Sequence, residues 1–443
     1  MPGEGEIKLM ASIKHNQRYA RSIELMRKAE QVIPTGAQTF SKSKLQFPVG
    51  KAPHFLVRGK GGRVWDVDGN EYVDLMAGLL PVLLGYRDPD VDDAIRHQLD
   101  NGISFSLATD LEVEVSEKLV DLIPCAEMVR FGKNGSDVTT AAIRLARAVT
   151  GRDEIIMCGY HGWHDWSIGT TVWNKGVPDV VSSLTHRARF NDPEHLKSVF
   201  ESLKNKIAAL ILEPVSIEYP VEGYLESIKE ICEQNGALLV FDEIITGFRA
   251  ARGGAQELLS VTPDLACFGK AMGNGMPISA IVGRSKYMKH FEDVFFSGTF
   301  AGETLSLAAA NAVIDKIINE PVVDRLWKQG QYLSEQIETL INKYSLDGIL
   351  KLSGIPPWQI LKIVDHENAT VAEIKTFIIT SLLESGVLTT GSHNMMYAHN
   401  EEDLKIVINA YSSTLLGLSK ELEQKGLAER LGVELIKPVF AVR

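Results

Sequence analysis

The sequence predicts an α/β chain, with a large domain on a mostly parallel central sheet and a smaller α+β domain built from the C-terminal and N-terminal segments. Three observations carry that prediction. Between Met128 and Phe268, short apolar runs alternate with helical segments, the pattern of βα units covered on both faces. Two of those runs, Ala237–Phe241 and Leu265–Phe268, are apolar throughout, as strands buried on both faces of a parallel sheet are. Before Leu75 and beyond Thr304 the pattern changes to long amphipathic helices and short alternating strands. The expected division is an N-terminal segment over 1–75 that packs with the small domain, a large domain over 76–310, and a C-terminal small domain over 311–443.

In chain order, Lys14–Val32 sets Tyr19, Ile23, Met26 and Ala29 among charges at helical spacing, and Pro34 and Gly36 stop that helix. Arg63–Leu75 alternates apolar and polar residues around Asp68, Gly69 and Asn70, which predicts a hairpin. Helices are expected over Val91–Leu99 and Leu111–Leu122, the second with Thr109 and Asp110 as caps. Strand Met128–Gly132 then leads through KNGSD into a helix that ends at Gly151, a residue suited to a C-cap. Further strands are read at Glu154–Cys158, Ala208–Leu212, Ala237–Phe241 and Leu265–Phe268, with helices Pro193–Leu203 and Leu225–Asn235 between them. Helices over SLAAANAVIDKII and Val322–Tyr344 follow. Strands at Trp358–Val364 and Gly386–Thr390 and helices Val371–Ser385 and Glu401–Leu422 complete the chain.

Composition bounds the function. A chain of 443 residues, 45% hydrophobic and 23% charged, has an ordinary globular balance and room for a large core. A net charge of -11 argues against nucleic acid as a partner. MPGEGEIKLM lacks the basic flank and apolar stretch of a signal peptide, and the greasiest window, Leu75–Leu84, is too short for a bilayer and holds Gly78 and Pro81. A cytoplasmic protein without membrane contact is expected. Cys125, Cys158, Cys232 and Cys267 are scattered without a CxxC pair, so buried thiols are expected rather than disulfides or a zinc site.

Two strand ends carry the chemistry. Ala237–Phe241 delivers Asp242, a carboxylate that needs a cation there, and Leu265–Phe268 delivers Lys270 into a loop with Gly269, Gly273 and Gly275. A lysine among small residues at a buried strand end is desolvated toward a reactive amine. Together they suggest a pyridoxal phosphate site, where a lysine holds the cofactor as a Schiff base and an aspartate keeps the pyridinium protonated. Taken alone, each reads first as something plainer, Lys270 as a solvated surface lysine and Asp242 as a helix cap; the case depends on further parts falling in place.

Other loops supply matching parts. Asn134, Gly135 and Ser136 stand between strand and helix, where free amides and a hydroxyl favour an anion, although a plain N-cap explains Ser136 as well. Tyr160 and His161 leave the second strand with a ring to stack on a flat heterocycle and an imidazole beside it. His161, His164 and Asp165 are also spaced for a metal, but no other His or Cys cluster supplies a further ligand. Glu213 ends the third strand, and Thr299 sits between Gly298 and Gly302, where a backbone amide can approach an anion.

These motifs, taken together and in order, resemble the class III (fold type I) pyridoxal phosphate aminotransferases, in particular the branch of the glutamate-1-semialdehyde aminomutases. The resemblance runs over most of 30–315: IPTGAQTF, VRGKGGRVWDVDGNEYVDL, VRFGKNGSDVTTAAIRLARAVTGRDEII, GYHGWHD, LEPV, VFDEIITGFR, FGKAMGNGMPISAIVGR and SGTFAGETLSLAAA. It implies that Lys270 forms the internal aldimine and moves the substrate proton, and that Asp242 binds the ring nitrogen. Tyr160 and Ile244 would flank the ring, Gly135 and Ser136 hold the phosphate, and Glu213 support the site. Thr299 would reach the phosphate of a second subunit, which makes a homodimer part of the active site. The activity implied is transfer of an amino group from a donor to a carbonyl acceptor in two half-reactions. The alternative is an intramolecular aminomutase. Two readings from other classes are a metal-dependent hydrolase using HGWHD and a non-catalytic protein that binds the cofactor.

Departures from the branch fall on substrate contacts. The phosphate loop reads NGSD where NSGTEA is usual. Ser216 and Glu218 stand where relatives carry glutamine or asparagine near the phenolic oxygen. Thr39 and Lys42 replace a serine and an arginine that hold a substrate carboxylate, and lysine lacks the bidentate fork. Polar candidates for the substrate are Lys42, His161, Glu218, His393 and Asn394.

Overall fold

The computed structural model describes residues 17–436. The stretch MPGEGEIKLM, the start of the helix predicted from Lys14, and the last residues of the C-terminal domain lie outside the described residues. The chain divides into two compact units. One holds Gly78–Leu84 and Asp88–Arg325; the other holds the chain up to Ala77, Gly85–Arg87, and the chain from Leu326.

The first unit carries helices α1 (Pro89–Asn101) and α2 (Asp110–Leu122), strand β1 (Met128–Gly132), helix α3 (Gly135–Thr150) and strands β2 (Glu154–Cys158) and β3 (Thr185–Arg187). Helix α4 (Pro193–Ser202), β4 (Ile207–Leu212), α5 (Tyr224–Asn235), β5 (Leu238–Asp242), β6 (Leu265–Phe268), β7 (Ser279–Gly283) and α6 (Thr304–Asn319) follow. The seven strands form one sheet in the order β1-β7-β6-β5-β4-β2-β3. β2–β3, β2–β4, β4–β5 and β5–β6 pair in parallel. β7, which is not among the strands expected from sequence, is antiparallel to both β6 and β1. Only a short turn and a loop join β6 to β7, too little chain for a parallel crossover.

The unbroken apolar runs explain the burial: every residue of β4, β5, β6 and β7 is buried. Helix α3 lays Val138, Ala142, Leu145 and Ala146 against Ile155, Met157, Val240 and Leu265. Each Val, Leu, Ile or Met side chain so buried contributes about 1.5–3 kcal/mol. The helix opens with a capping box between Asn134 and Asp137, so Ser136 is not the cap but the second helical residue. It closes at Gly151, whose φ of 65° is left-handed as a C-cap requires. Helix α6 groups with this unit, beyond the boundary at 310 expected from sequence. Thr304 Oγ1 donates to the Gly102 carbonyl at 2.8 Å, and Lys316 pairs with Asp88 at 2.9 Å and Asp90 at 2.6 Å.

The second unit holds two small sheets. Leu56–Lys60, Arg63–Asp66 and Glu71–Asp74 run antiparallel, and Val387–Leu388 adds in parallel to Glu71–Asp74. The Arg63 hairpin is held by Asp66, which accepts the Asn70 N–H at 2.8 Å and the Tyr72 hydroxyl at 2.9 Å. Leu350–Ile355, Trp358–Ile363 and Ser392–Asn394 form the other sheet. Among the described residues no helix is long and apolar enough to cross a membrane.

Candidate active site

The carboxyl ends of the parallel strands are where ligands gather in an open α/β sheet, and there the chain places its titratable groups. Asp242, the last residue of β5, is 5% exposed. Its Oδ1 accepts the Ile244 N–H at 3.1 Å, and its Oδ2 lies 2.7 Å from His161 Nδ1. His161, three residues past β2, is 2% exposed and sets Nε2 3.1 Å from the Cys158 carbonyl. A carbonyl only accepts, so Nε2 donates there and a further proton lies between Nδ1 and Oδ2. Both nitrogens are used within the protein. The side-chain partner of His161, read from sequence as a polar candidate for the substrate, is Asp242.

Lys270 follows β6 by one glycine and opens a single 3-10 turn, Lys270–Gly273, with φ of 35°. Burial pushes its amine down, Asp242 and Glu213 pull it up, and Arg249 pushes it down further, for a net lowering. Glu213, just past β4, is pushed up to about 7, chiefly by burial and then by the Asp242 charge. His161, Lys270 and the Tyr160 N–H restrain that rise.

Around these groups the backbone closes in. Gly162 has φ of 105°, and a Cβ there would come 2.3 Å from Ser136 Oγ, so only glycine lets the two loops meet. Ser136 Oγ accepts the Trp163 N–H at 3.2 Å at the start of α3. Ile244 bridges two loops: its Cδ1 would stand 3.3 Å from a Cβ on Gly135 and 3.1 Å from one on Gly269. Tyr160 stays 46% exposed, and its phenol is pushed up by partial burial and the Asp242 charge.

Asp242, His161, Glu213, Lys270, Tyr160, Ile244, Gly135 and Ser136 thus meet in one unit. His164 belongs to a different network: Trp166 Nε1 donates to Thr140 Oγ1 at 2.8 Å, and that hydroxyl lies 2.7 Å from His164 Nδ1. The two imidazoles therefore share no side-chain hydrogen-bond partner, and among the described residues no group of three or more His, Cys, Asp or Glu could hold a metal ion. Thr299 is exposed and lines a cavity of about 350 Å³ with Lys133, Thr140, Arg144 and His164. Glu218 is exposed two residues past Ser216, whose N–H it accepts through its carbonyl at 3.2 Å. Lys42, His393 and Asn394 lie in the other unit. Lys42 is exposed, with Thr39 Oγ1 accepting its N–H at 3.2 Å. His393 is 1% exposed with Nε2 2.6 Å from the Tyr411 hydroxyl, and Asn394 is 3% exposed and donates to the Met76 carbonyl at 2.8 Å. Both are held by their own unit's interior.

A family model described as class-III aminotransferase matches residues 46–401. The chain belongs to the class-III aminotransferases. It is 36% identical to the 3-aminobutyryl-CoA aminotransferase of Cloacimonas acidaminovorans, over 91% of this chain and 99% of that one. It is 33% identical to the glutamate-1-semialdehyde 2,1-aminomutase of Methanosphaera stadtmanae, over 90% of this chain and 99% of that one. Among solved structures, the pyridoxal phosphate internal aldimine form of the Sphingopyxis sp. MTA144 FumI protein superposes with a TM-score of 0.85 at 29% identity, covering 93% of this chain and 100% of that one. This aminotransferase is accordingly a pyridoxal phosphate enzyme of the fold type I class. Its residues fit that group. A helix start whose cradle a Cβ would fill suits a phosphate, a buried carboxylate suits a ring nitrogen, and an amine pushed down by burial suits an aldehyde.

Proposed function

We propose that this aminotransferase uses Lys270 as the cofactor lysine and Asp242 as the partner of the ring nitrogen, moving an amino group between a small-molecule donor and a carbonyl acceptor in two half-reactions. The observation that carries the assignment is the meeting of Asp242, His161 and Lys270 at adjoining strand ends. When bound, pyridoxal phosphate supplies an aldehyde for amines and a heterocycle that withdraws electrons. The chain does the rest. The N-terminal amides of α3 with the Ser136 hydroxyl bind the phosphate. Ile244 and Tyr160 orient the ring from its two sides. Asp242, fixed by His161 and the Ile244 N–H, presents a carboxylate in a set direction. Lys270 Nζ, its basicity lowered by burial, takes a proton from the substrate carbon and returns it. Glu213 holds a proton near neutrality beside both.

The functional form is a cytoplasmic homodimer in which Thr299 serves the cofactor of the partner subunit. The exposed aromatics on either side of it, Phe295 at 81% and Phe300 at 61%, suit a face covered by a second copy. Four free, buried cysteines suit a reducing compartment.

Borohydride trapping followed by peptide mapping tests the assignment. Label on Lys270 is expected in the wild type, and Lys270→Ala should lose both label and turnover; turnover retained in that variant would refute it. An aminomutase is the second reading, favoured by the relatives at 33% identity. The readings separate on one point, since a mutase acts on its substrate without an added amino donor. Assays of 3-aminobutyryl-CoA as amino donor with a separate carbonyl acceptor, and of glutamate-1-semialdehyde alone, distinguish them.

A further inference from the structure

Four consecutive residues, Ala77, Gly78, Leu79 and Leu80, hold φ of 49°, 65°, 78° and 80°. A run of left-handed residues crowds each Cβ against the following carbonyl, and only Gly78 escapes that crowding. The flanking sequence, MAGLLPV, has no Asn or Asp to favour such a turn. The conformation therefore has to be imposed by its surroundings. Arg249 imposes it at one point, where its fully buried guanidinium donates from Nη2 to the Leu80 carbonyl at 2.9 Å. Further on, the Leu84 N–H donates to Asn274 Oδ1 at 2.8 Å, and Val82 Cγ2 lies 3.9 Å from where a Cβ on Gly275 would stand. Asn274, at φ of 46°, and Lys270, at φ of 35°, are themselves left-handed. Two strained segments are thus fastened together, and Gly78–Leu84 groups with the sheet-bearing unit although the residues on both sides of it do not.

We propose that Arg249 is a positioning residue for Lys270, which through the Leu80 carbonyl anchors the left-handed turn that backs the lysine loop. The proposal rests on reading Lys270 as the cofactor lysine. Arg249 also acts by charge. The groups that bear on Lys270 are Asp242 at the end of β5, Glu213 after β4, and Arg249 in the loop after β5; of these only Arg249 repels a proton from the amine. The anchor and the repulsion come from one guanidinium, so its loss changes both the order of 78–84 and the pH at which the amine becomes available.

The test compares wild type, Arg249→Met and Arg249→Lys. In Arg249→Met, hydrogen exchange on the holoenzyme should speed up at the amides of 78–84 on the order of 10- to 100-fold, the loss of one hydrogen bond to a charged group. The amides of β5 should be unchanged. Reconstitution of the apoenzyme with pyridoxal phosphate should shift to higher pH in Arg249→Met and keep the wild-type profile in Arg249→Lys, which retains the charge. Unchanged exchange at 78–84 in a folded Arg249→Met protein overturns the proposal. If that variant does not fold, Leu79→Asn in the otherwise wild-type chain decides, since asparagine tolerates left-handed backbone. Protection at 78–84 should then equal or exceed wild type, and a fall overturns the account. Absence of borohydride label on wild-type Lys270 would instead sink the cofactor assignment and leave the exchange result standing.

Discussion

His161 Nδ1 lies 2.7 Å from Asp242 Oδ2, while its Nε2 is spent on the Cys158 carbonyl at 3.1 Å. The imidazole is therefore fixed at both ends, and it fixes the carboxylate in turn. Its ring is further held nearly parallel to Trp166, at 8° between planes. Replacing His161 with Phe keeps the packing and removes the bond to a buried carboxylate. A hydrogen bond to a charged group contributes about 1.5–3 kcal/mol, so cofactor affinity should fall about ten- to hundredfold. Spectral titration of the apoprotein measures this; wild-type affinity in His161→Phe would show that Asp242 needs no such support.

Glu213 predicts a pH-dependent stability. Its folded pKa of about 7 stands above the ordinary 4.5. Between those values the unfolded chain releases a proton that the folded chain keeps, so this residue's contribution is fully present below about pH 4.5 and declines as pH rises through 7. At roughly 1.4 kcal/mol per pK unit the decline amounts to about 3 kcal/mol. Glu213→Gln, whose amide oxygen still accepts the Tyr160 N–H, should gain on wild type by about that much at pH 8 and by nothing at pH 4.5. Denaturant melts of the two proteins at several pH values provide the check, and parallel curves would contradict it.

Two glycines with similar backbones should respond differently to alanine. Gly162 and Gly151 both have positive φ, of 105° and 65°. A Cβ on Gly151 meets nothing within 4 Å, whereas one on Gly162 meets Ser136 Oγ at 2.3 Å. Gly151→Ala should cost only the left-handed backbone penalty, about 1–2 kcal/mol. Gly162→Ala should cost more and also displace the Ser136 hydroxyl, weakening phosphate retention by about tenfold or more. Thermal melts and cofactor titration together separate the two effects. Equal losses in both variants would mean that the contact with Ser136 is unimportant.

The parts legible in the sequence were those written locally. Buried parallel strands are continuous apolar runs, so the acid and the lysine that end β5 and β6 stand out, and the glycine after α3 marks its cap. β7 was hidden because SAIVG follows Gly275, Met276 and Pro277 with no helix to announce a new strand. It inserts antiparallel between β6 and β1, where Ser279 Oγ donates to the Asn134 carbonyl at 2.9 Å and ties the loop before α3 in place. The partner of His161 was hidden for another reason. Asp242 is 81 residues away, and the two meet only because β2, β4 and β5 stand side by side in register. His393 and Asn394 looked like loop residues among glycines, but they form an edge strand opposite Gln359 and Trp358 and turn into their own unit.

The last prediction concerns which subunit Thr299 serves. Mixing Lys270→Ala with Thr299→Ala subunits gives heterodimers with two unlike sites. If Thr299 acts across the interface, the site that keeps Lys270 receives an intact Thr299 from the other subunit, and one wild-type site is restored per heterodimer. If it acts within its own subunit, that site carries Thr299→Ala and none is intact. The loss in Thr299→Ala should appear as weaker cofactor binding, about tenfold for one hydrogen bond to a charged phosphate. Activity of the mixture at limiting pyridoxal phosphate should therefore exceed the sum of the two parent homodimers, because only the trans arrangement rebuilds a site that retains its cofactor. A mixture no more active than that sum would place Thr299 in its own subunit's site and remove the need for a second copy at the phosphate.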